Sequence, residues 1–293
     1  MRIPNYDFHA RTTVLTGAAS GMGEQLAHGL AARASELVLI DRDSEGLEAV
    51  ARAIHATWPG AKIQLHVVDL ADADALAAVA QRILAASPRI GLLINNAGVA
   101  LGGRFEQLTM ADFDWIMAIN FRAPVLMTHY LMPALKAGGN SHVVNVSSLF
   151  GLVAPAGQSA YAASKFALRG FSEALRAELA GDGIGVTTVH PGGVRTNIAK
   201  NARSAGTVTS EQLIRSQRQF AALLTFPADR AAALILDAVE RRRPRLLIGA
   251  SAKIPDLISR AAPASYPRIQ KHLTRGIRLM GTLSNVRSER SPR

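Results

Sequence analysis

The chain has 293 residues, 48% of them hydrophobic and 19% charged, a balance that allows a sizeable buried core and excludes a disordered chain. With no cysteine it can form no disulfide and no thiolate metal or nucleophile site. The net charge of +11 resides in residues 241–293, where 13 Lys and Arg stand against 2 acids, so the neutral remainder gives no reason to expect a nucleic-acid partner.

The opening "MRIPNYDFHARTTVLTG" enters a strand pattern without a secretory apolar region, and no run of eighteen apolar residues follows, so a cytoplasmic protein is expected. "TTVLTG" reads as the first strand, followed by an amphipathic helix over about 21–33 and then the strand "ELVLID". A helix over 43–57, the strand "KIQLHVVDL", a helix over 72–87 and the strand "GLLINNAG" continue the alternation. Next come one long helix over 109–137, the strand "SHVVNVSS", a helix over 158–181, the strand "GIGVTTVHPG" and a last strand in "RPRLLIG". Such alternation predicts right-handed βαβ units and a parallel α/β sheet covered by helices on both faces, as one domain with a tail. Ligands in these sheets collect at the carboxyl ends of the strands, so motifs there carry weight.

"TGAASGMG" closes the first strand and opens the first helix. Gly17, Gly21 and Gly23 remove side chains where a backbone turns tightly and approaches a pyrophosphate, and the helix N-terminus offers N–H groups. Asp41 ends the second strand, where a carboxylate can accept bonds from ribose hydroxyls and disfavours a 2′-phosphate. Arg42 beside it could clasp that phosphate, but no basic residue joins it among Ala18, Ala19 and Ser20, so NAD is favoured over NADP. Asp69 either meets an adenine amino group or caps the helix beginning near Asp72. In "NNAG", the Asn side chains can tie neighbouring strands together, while Ala97 and Gly98 let a ribose pass close. "YAASK" sets Tyr161 and Lys165 one helical turn apart on one face, separated by small residues. No imidazole–carboxylate cluster of the H-E-x-x-H kind is present, and no metal site is expected.

With these motifs, Asn120 in "IMAINF", Ser148 in "NVSS" and "PGGVRT", the chain resembles the short-chain dehydrogenase/reductase family over about residues 10–200. The resemblance implies a Rossmann-type doubly wound sheet and an enzyme moving hydride between a nicotinamide and an alcohol or ketone. It makes Tyr161 the acid/base and Ser148 the group that aims the substrate oxygen. Lys165 would lower the phenol pKa and bind the nicotinamide ribose, and Asn120 would hold a water that feeds protons to Lys165. Bringing a phenol from about 10 to about 7 takes roughly 4 kcal/mol, much of which Lys165 is placed to supply. Cofactor contacts are implied for Gly17, Ser20, Gly21, Met22, Gly23, Asp41, Arg42, Asp69, Leu70, Asn96, Ala97, Gly98, Tyr161, Lys165, Pro191, Gly192, Val194 and Thr196. Pro191 and Gly192 would form a tight turn, and Thr196 would meet the carboxamide. His190 reads as a structural strand residue. The family usually forms homodimers or homotetramers.

A catalytic domain is thus expected over residues 1–250. Its variable segment, about 197–226, carries Phe220, Leu223, Leu224 and Phe226 as the apolar side of a lid or as a helix packed on the sheet. With "SSLFGLVAPAG" it favours a lipophilic alcohol or ketone. Residues 251–293 form a basic extension with Ile269, Leu273 and Ile277 on one stripe beside Lys271, Arg275 and Arg278. That stripe packs on the body or a sister subunit, or lies on an anionic membrane; Pro263 and Pro267 favour packing. The end, "SNVRSERSPR", is expected to be disordered. Two other readings stand beside the dehydrogenase: an epimerase or dehydratase on the same fold, and a non-catalytic dinucleotide sensor or scaffold.

Overall fold

The computed structural model describes residues 4–198, 202–204 and 224–268. In chain order the elements are β1 (Thr12–Thr16), α1 (Gly21–Ala31), β2 (Glu36–Asp41), α2 (Ser44–Thr57), β3 (Ile63–Val67), α3 (Ala73–Ala86) and β4 (Leu92–Asn95). A short β5 (Leu101–Gly102) precedes α4 (Met110–Met117), α5 (Ala123–Gly138), β6 (His142–Val146), α6 (Ser159–Glu178) and β7 (Gly185–Pro191). Then come β8 (Arg203–Ser204), α7 (Ala228–Glu240), β9 (Arg245–Ile248) and α8 (Ala250–Ala261).

Seven strands make one sheet in the order β3-β2-β1-β4-β6-β7-β9, every pairing parallel, while β5 and β8 pair separately. The chain winds outward from β1 to β3, then restarts at β4 on the other side of β1. The carboxyl ends of β1 and β4 therefore diverge, and a crevice opens between the loops that leave them.

The central strands are buried on both faces, which is why they read as nearly continuous apolar runs. Successive residues serve opposite layers. Leu37 and Leu39 of β2 join Leu26, Leu30, Leu47, Ile54, Ile235 and Leu236 under α1, α2 and α7. Val38 and Ile40 join Leu76, Ile83, Met127, Leu131 and Leu175 under α3, α5 and α6. Each such fully buried aliphatic side chain contributes about 1.5–3 kcal/mol.

Two expectations need adjusting. The helix over 109–137 is interrupted: residues Ala118–Arg122 form a π-helical turn between α4 and α5, with the Ala123 N–H bonded to the Ala118 carbonyl. The helix over 158–181 ends at Glu178, and a 3₁₀ turn at Ala180–Asp182 leads to Gly183 at φ +70°. Past β9, α8 packs against β9 and the turn after β6, and the Arg245 guanidinium forks onto Asp256 at 2.6 and 3.3 Å. Ile269, Lys271, Leu273, Arg275, Ile277, Arg278 and "SNVRSERSPR" lie outside the described residues, as do Phe220 and Leu223 of the expected lid. No described helix is long and apolar enough to cross a membrane.

Candidate active site

From Thr16 the chain turns through Gly17 at φ +69° and enters α1 at Gly21, φ +59°, both in the region that glycine adopts without a Cβ clash. Gly23 is required for another reason, since a Cβ there would stand 1.7 Å from the Gly17 carbonyl oxygen. The first turn of α1 is thereby pressed onto the loop, and its free N–H groups and positive dipole end stand at the crevice. Ser20, in the N-cap position, makes no side-chain capping bond and is exposed, while Met22 is buried.

Loop and strand are bound crosswise. The Asn96 amide donates to the Thr16 and Gly17 carbonyls, both at 3.1 Å, and Thr16 Oγ1 accepts the Asn96 and Ala97 N–H groups at 3.1 Å. Asn95 ties β4 to β6 through Asn145 at 2.8 Å, as expected of this Asn pair. At the end of β2, Asp41 Oδ2 accepts the Ala19 N–H at 3.0 Å, and Oδ1 accepts those of Arg42 and Asp43 at 2.8 and 3.2 Å. The carboxylate is therefore fixed against the glycine loop. A cleft of about 520 Å³ is bordered by the next residue, Arg42, by Val68 and Asp69, and by the face of α3 from Ala75 to Arg82. Asp69 accepts the Ala71 N–H at 2.9 Å, and the cap of α3 is Asp72 itself. Leu70 packs on the core beneath α3 and α5. A bare backbone at the turn, an anchored carboxylate and a helix N-terminus together fit a dinucleotide.

Farther along the crevice, Ser148 follows β6 and opens a short 3₁₀ turn, Leu149–Gly151, where its Oγ accepts the Phe150 N–H at 3.1 Å. Tyr161 and Lys165 stand on the first turns of α6, 6% and 3% exposed. Lys165 Nζ is 5.9 Å from the Tyr161 ring centroid and donates to the Val146 carbonyl at 3.0 Å. Gly98 faces it: a Cβ there would come within 3.1 Å of Lys165 Nζ and 3.3 Å of Asn120 Oδ1. The absent side chain lets the loop after β4 meet α6 and the turn that carries Asn120.

Asn120 sits in the π-helical turn, fully buried, and its amide pairs with both the N–H (2.9 Å) and the carbonyl (3.0 Å) of Val99. It also donates to Ser164 Oγ at 3.1 Å, and Ser164 in turn donates to the Tyr161 carbonyl at 2.8 Å. Ser147 donates to the Lys165 carbonyl at 2.8 Å. Ser147, Ser164 and Thr16 are the supports that the sequence reading passed over. All three lie inside quoted motifs, where a hydroxyl among small residues signals a bond to backbone.

Burial governs the electrostatics. It pushes the Tyr161 phenol above its ordinary value, with a hydrogen bond from the Ser148 side chain pulling the other way, and it lowers Lys165 to about 8. The depression of Tyr161 expected from Lys165 is not seen in the protein alone: a buried phenolate loses its hydration, and the bond to Ser148 is what opposes that rise. Around the phenol the surroundings are apolar: Leu101, Ile116 and Ala160 cluster with Tyr161, and Leu108, Phe113, Trp115, Phe150 and Ile198 pack against them.

"PGGVRT" departs from expectation. Pro191 still belongs to β7, Gly192 donates to Ile248 of β9, and the bend comes later, where the Val194 N–H reaches the Gly192 carbonyl at 2.9 Å. Val194 is buried and bridges to Phe226, so Phe226 packs on the main core instead of forming a free lid edge. Thr196 lies over the first turn of α1, its Cβ 3.2 Å from where a Gly21 Cβ would be. Ser251 of α8, also unforeseen, accepts the Gly193 N–H at 3.2 Å.

The family described as short chain dehydrogenase matches residues 11–206. SadH of Mycobacterium tuberculosis, named as an oxidoreductase, is 36% identical over 264 residues, 89% of this chain and 94% of its own length. A short-chain dehydrogenase/reductase from Burkholderia phymatum in complex with NAD superposes with a TM-score of 0.80 at 27% identity, covering 87% of this chain and 95% of that one. A metagenomic short-chain oxidoreductase in complex with NADP gives a TM-score of 0.67 at 30% identity over 82% and 98%. The chain belongs to the short-chain dehydrogenase/reductase family of oxidoreductases, which act on CH–OH and C=O groups with a nicotinamide dinucleotide.

Proposed function

We propose that the protein interconverts a lipophilic alcohol and ketone, with Tyr161 as the acid/base and NAD preferred over NADP. The observation that carries this reading is the hydrogen bond between Ser148 and the Tyr161 phenol, with Lys165 Nζ 5.9 Å from the Tyr161 ring centroid, under an apolar wall that includes Phe150, Trp115 and Leu101. Gly17, Gly21, Gly23 and Asp41 would hold the adenosine half of the dinucleotide, and Asn96, Ala97, Gly98, Lys165, Pro191, Gly192, Val194 and Thr196 the rest. Bound there, the dinucleotide supplies a hydride acceptor or donor and, when oxidised, a second positive charge near the phenol.

Ser148 orients the substrate oxygen by a hydrogen bond, and Tyr161 passes a proton to or from it. Lys165, with a pKa of about 8, keeps mostly protonated at neutral pH and biases Tyr161 toward release of its proton. Asn120 holds the loop after β4 at Val99, and Ser164 couples it to the Tyr161 backbone. Asp41 supports NAD, because its carboxylate is anchored where a 2′-phosphate would bring like charge.

The test is a screen of lipophilic secondary alcohols with NAD and ketones with NADH, read by nicotinamide absorbance. Turnover of 2-decanol or 2-decanone well above that of glucose is expected; a preference for the sugar would sink the substrate reading. Thermal stabilisation by NADH should exceed that by NADPH at equal concentration, and the opposite order would overturn the assignment to Asp41.

A further inference from the structure

His190 is the last residue but one of β7 and is fully buried. Its Nδ1 lies 3.0 Å from the Ser148 carbonyl oxygen. A carbonyl only accepts, so Nδ1 carries the proton and donates. The same carbonyl accepts the Gly151 N–H at 3.0 Å, which closes the 3₁₀ turn, and Ser148 Oγ accepts the Phe150 N–H within it. One imidazole therefore pins the backbone of the residue whose hydroxyl meets Tyr161.

The other ring nitrogen, Nε2, is buried and has no hydrogen-bond partner among the described residues. A strand residue retained only for packing would be better served by an aliphatic side chain such as Val186 or Val189 of the same strand, which leaves no polar atom unsatisfied. Burial holds the ring neutral. The bond to the Ser148 carbonyl and Asp256 of α8 favour a positive charge, while Arg245 of β9 and Arg169 of α6 oppose one. Glu173 of α6 also feels the ring, and is paired with Arg169 at 2.8 Å. With the protonated ring disfavoured, the Nδ1–H tautomer is the one that the Ser148 carbonyl selects.

We infer that His190 is a positioning residue that acts through Ser148, holding its carbonyl from the neighbouring strand so that its hydroxyl stays aimed at Tyr161 and the substrate oxygen. The inference rests on the reaction proposed above. An asparagine at 190 keeps a short N–H donor, whereas leucine or valine removes it with two different side-chain volumes.

The experiment compares His190→Asn, His190→Leu, His190→Val and Ser148→Ala in the full chain, with 2-decanone and NADH as the probe pair and Tyr161→Phe as reference. His190→Leu and His190→Val should lower kcat roughly 100-fold, in the range of losing one aligned donor to a reacting oxygen, with NADH Kd changed less than twofold. The apparent pKa of the kcat profile should rise, because the Ser148 bond that lowers Tyr161 is weakened. His190→Asn should stay within fivefold of wild type. Adding Ser148→Ala to His190→Leu should cost little beyond Ser148→Ala alone.

A second reading needs no substrate: amide exchange at Phe150 should quicken at least tenfold in the Leu and Val variants and not in His190→Asn. Wild-type kcat, pH profile and Phe150 exchange in whichever apolar variant folds would overturn the inference. Equal loss in His190→Asn and the apolar variants would also overturn it. Failure of the underlying reaction looks different, since Tyr161→Phe would then match wild type.

Discussion

At the scale of single residues, the chemistry depends on which groups are buried together. Tyr161 and Lys165 were visible as a pair because their spacing stacks them on a helix, but their burial was not. Burial raises the phenol and lowers the ammonium, so the pair is matched only when a further positive charge or hydrogen-bond donor stabilises the phenolate. Tyr161→Phe keeps the ring that packs at 5.9 Å, edge to face, against Phe150 and removes only the proton. That variant should retain NADH binding and lose about 10²–10⁴-fold in kcat, as removal of a general acid/base does. Wild-type kcat in the variant would refute the role.

Among the elements, the β1–α1 turn and the π-helical turn carry the proposed site. Glycines at 17, 21 and 23 signalled a tight turn in the sequence, yet each answers to a different neighbour. The Gly17 and Gly21 conformations lie at positive φ, and Gly23 faces the Gly17 carbonyl. Gly23→Ala should force α1 off the loop, weakening NADH affinity at least tenfold and lowering the melting temperature as well, by roughly 2–4 °C per kcal/mol in a domain of this size. Unchanged NADH affinity by titration would contradict the cradle. Asn120 looked like a misfit in a long helix. The π-helical turn explains it, since the wider turn lets its side chain bond both polar groups of Val99 and reach Ser164, and such single turns recur at functional sites.

At the scale of the whole molecule, two fully buried histidines among the described residues, His142 and His190, contribute to the response to acid. His142 is held neutral between the Arg242 guanidinium, which donates to Nδ1 at 3.1 Å, and Thr187 at 2.7 Å from Nε2. Burial and Arg242 lower its pKa to about 3, while burial brings His190 to about 4. Both folded values lie below the unfolded value of about 6.5, so the unfolded chain takes up protons first as pH falls. Stability is complete above pH 6.5 and declines toward pH 4 by up to about 1.4 kcal/mol per pH unit for each histidine. His142→Gln, lacking that titration, should show a shallower fall in melting temperature between pH 6.5 and 4.5. Parallel curves for the two proteins would reject the assignment.

By itself the sequence determined the doubly wound α/β class and the strand that ends at each motif, and its resemblance to the family singled out Ser148, Tyr161 and Lys165. The class and the strand ends are local features: they follow from side-chain period and from turn residues. Tertiary structure decided what depends on pairs distant in the chain. The contact of Gly98 with Lys165, the crossing of Asn120 to Val99 and Ser164, the packing of Phe226 and α8 on the body, and the bond from His190 to Ser148 all join strands or helices that the parallel winding brings together. No periodicity within one segment encodes a partner 21, 44 or 42 residues away; the order of strands in the sheet does.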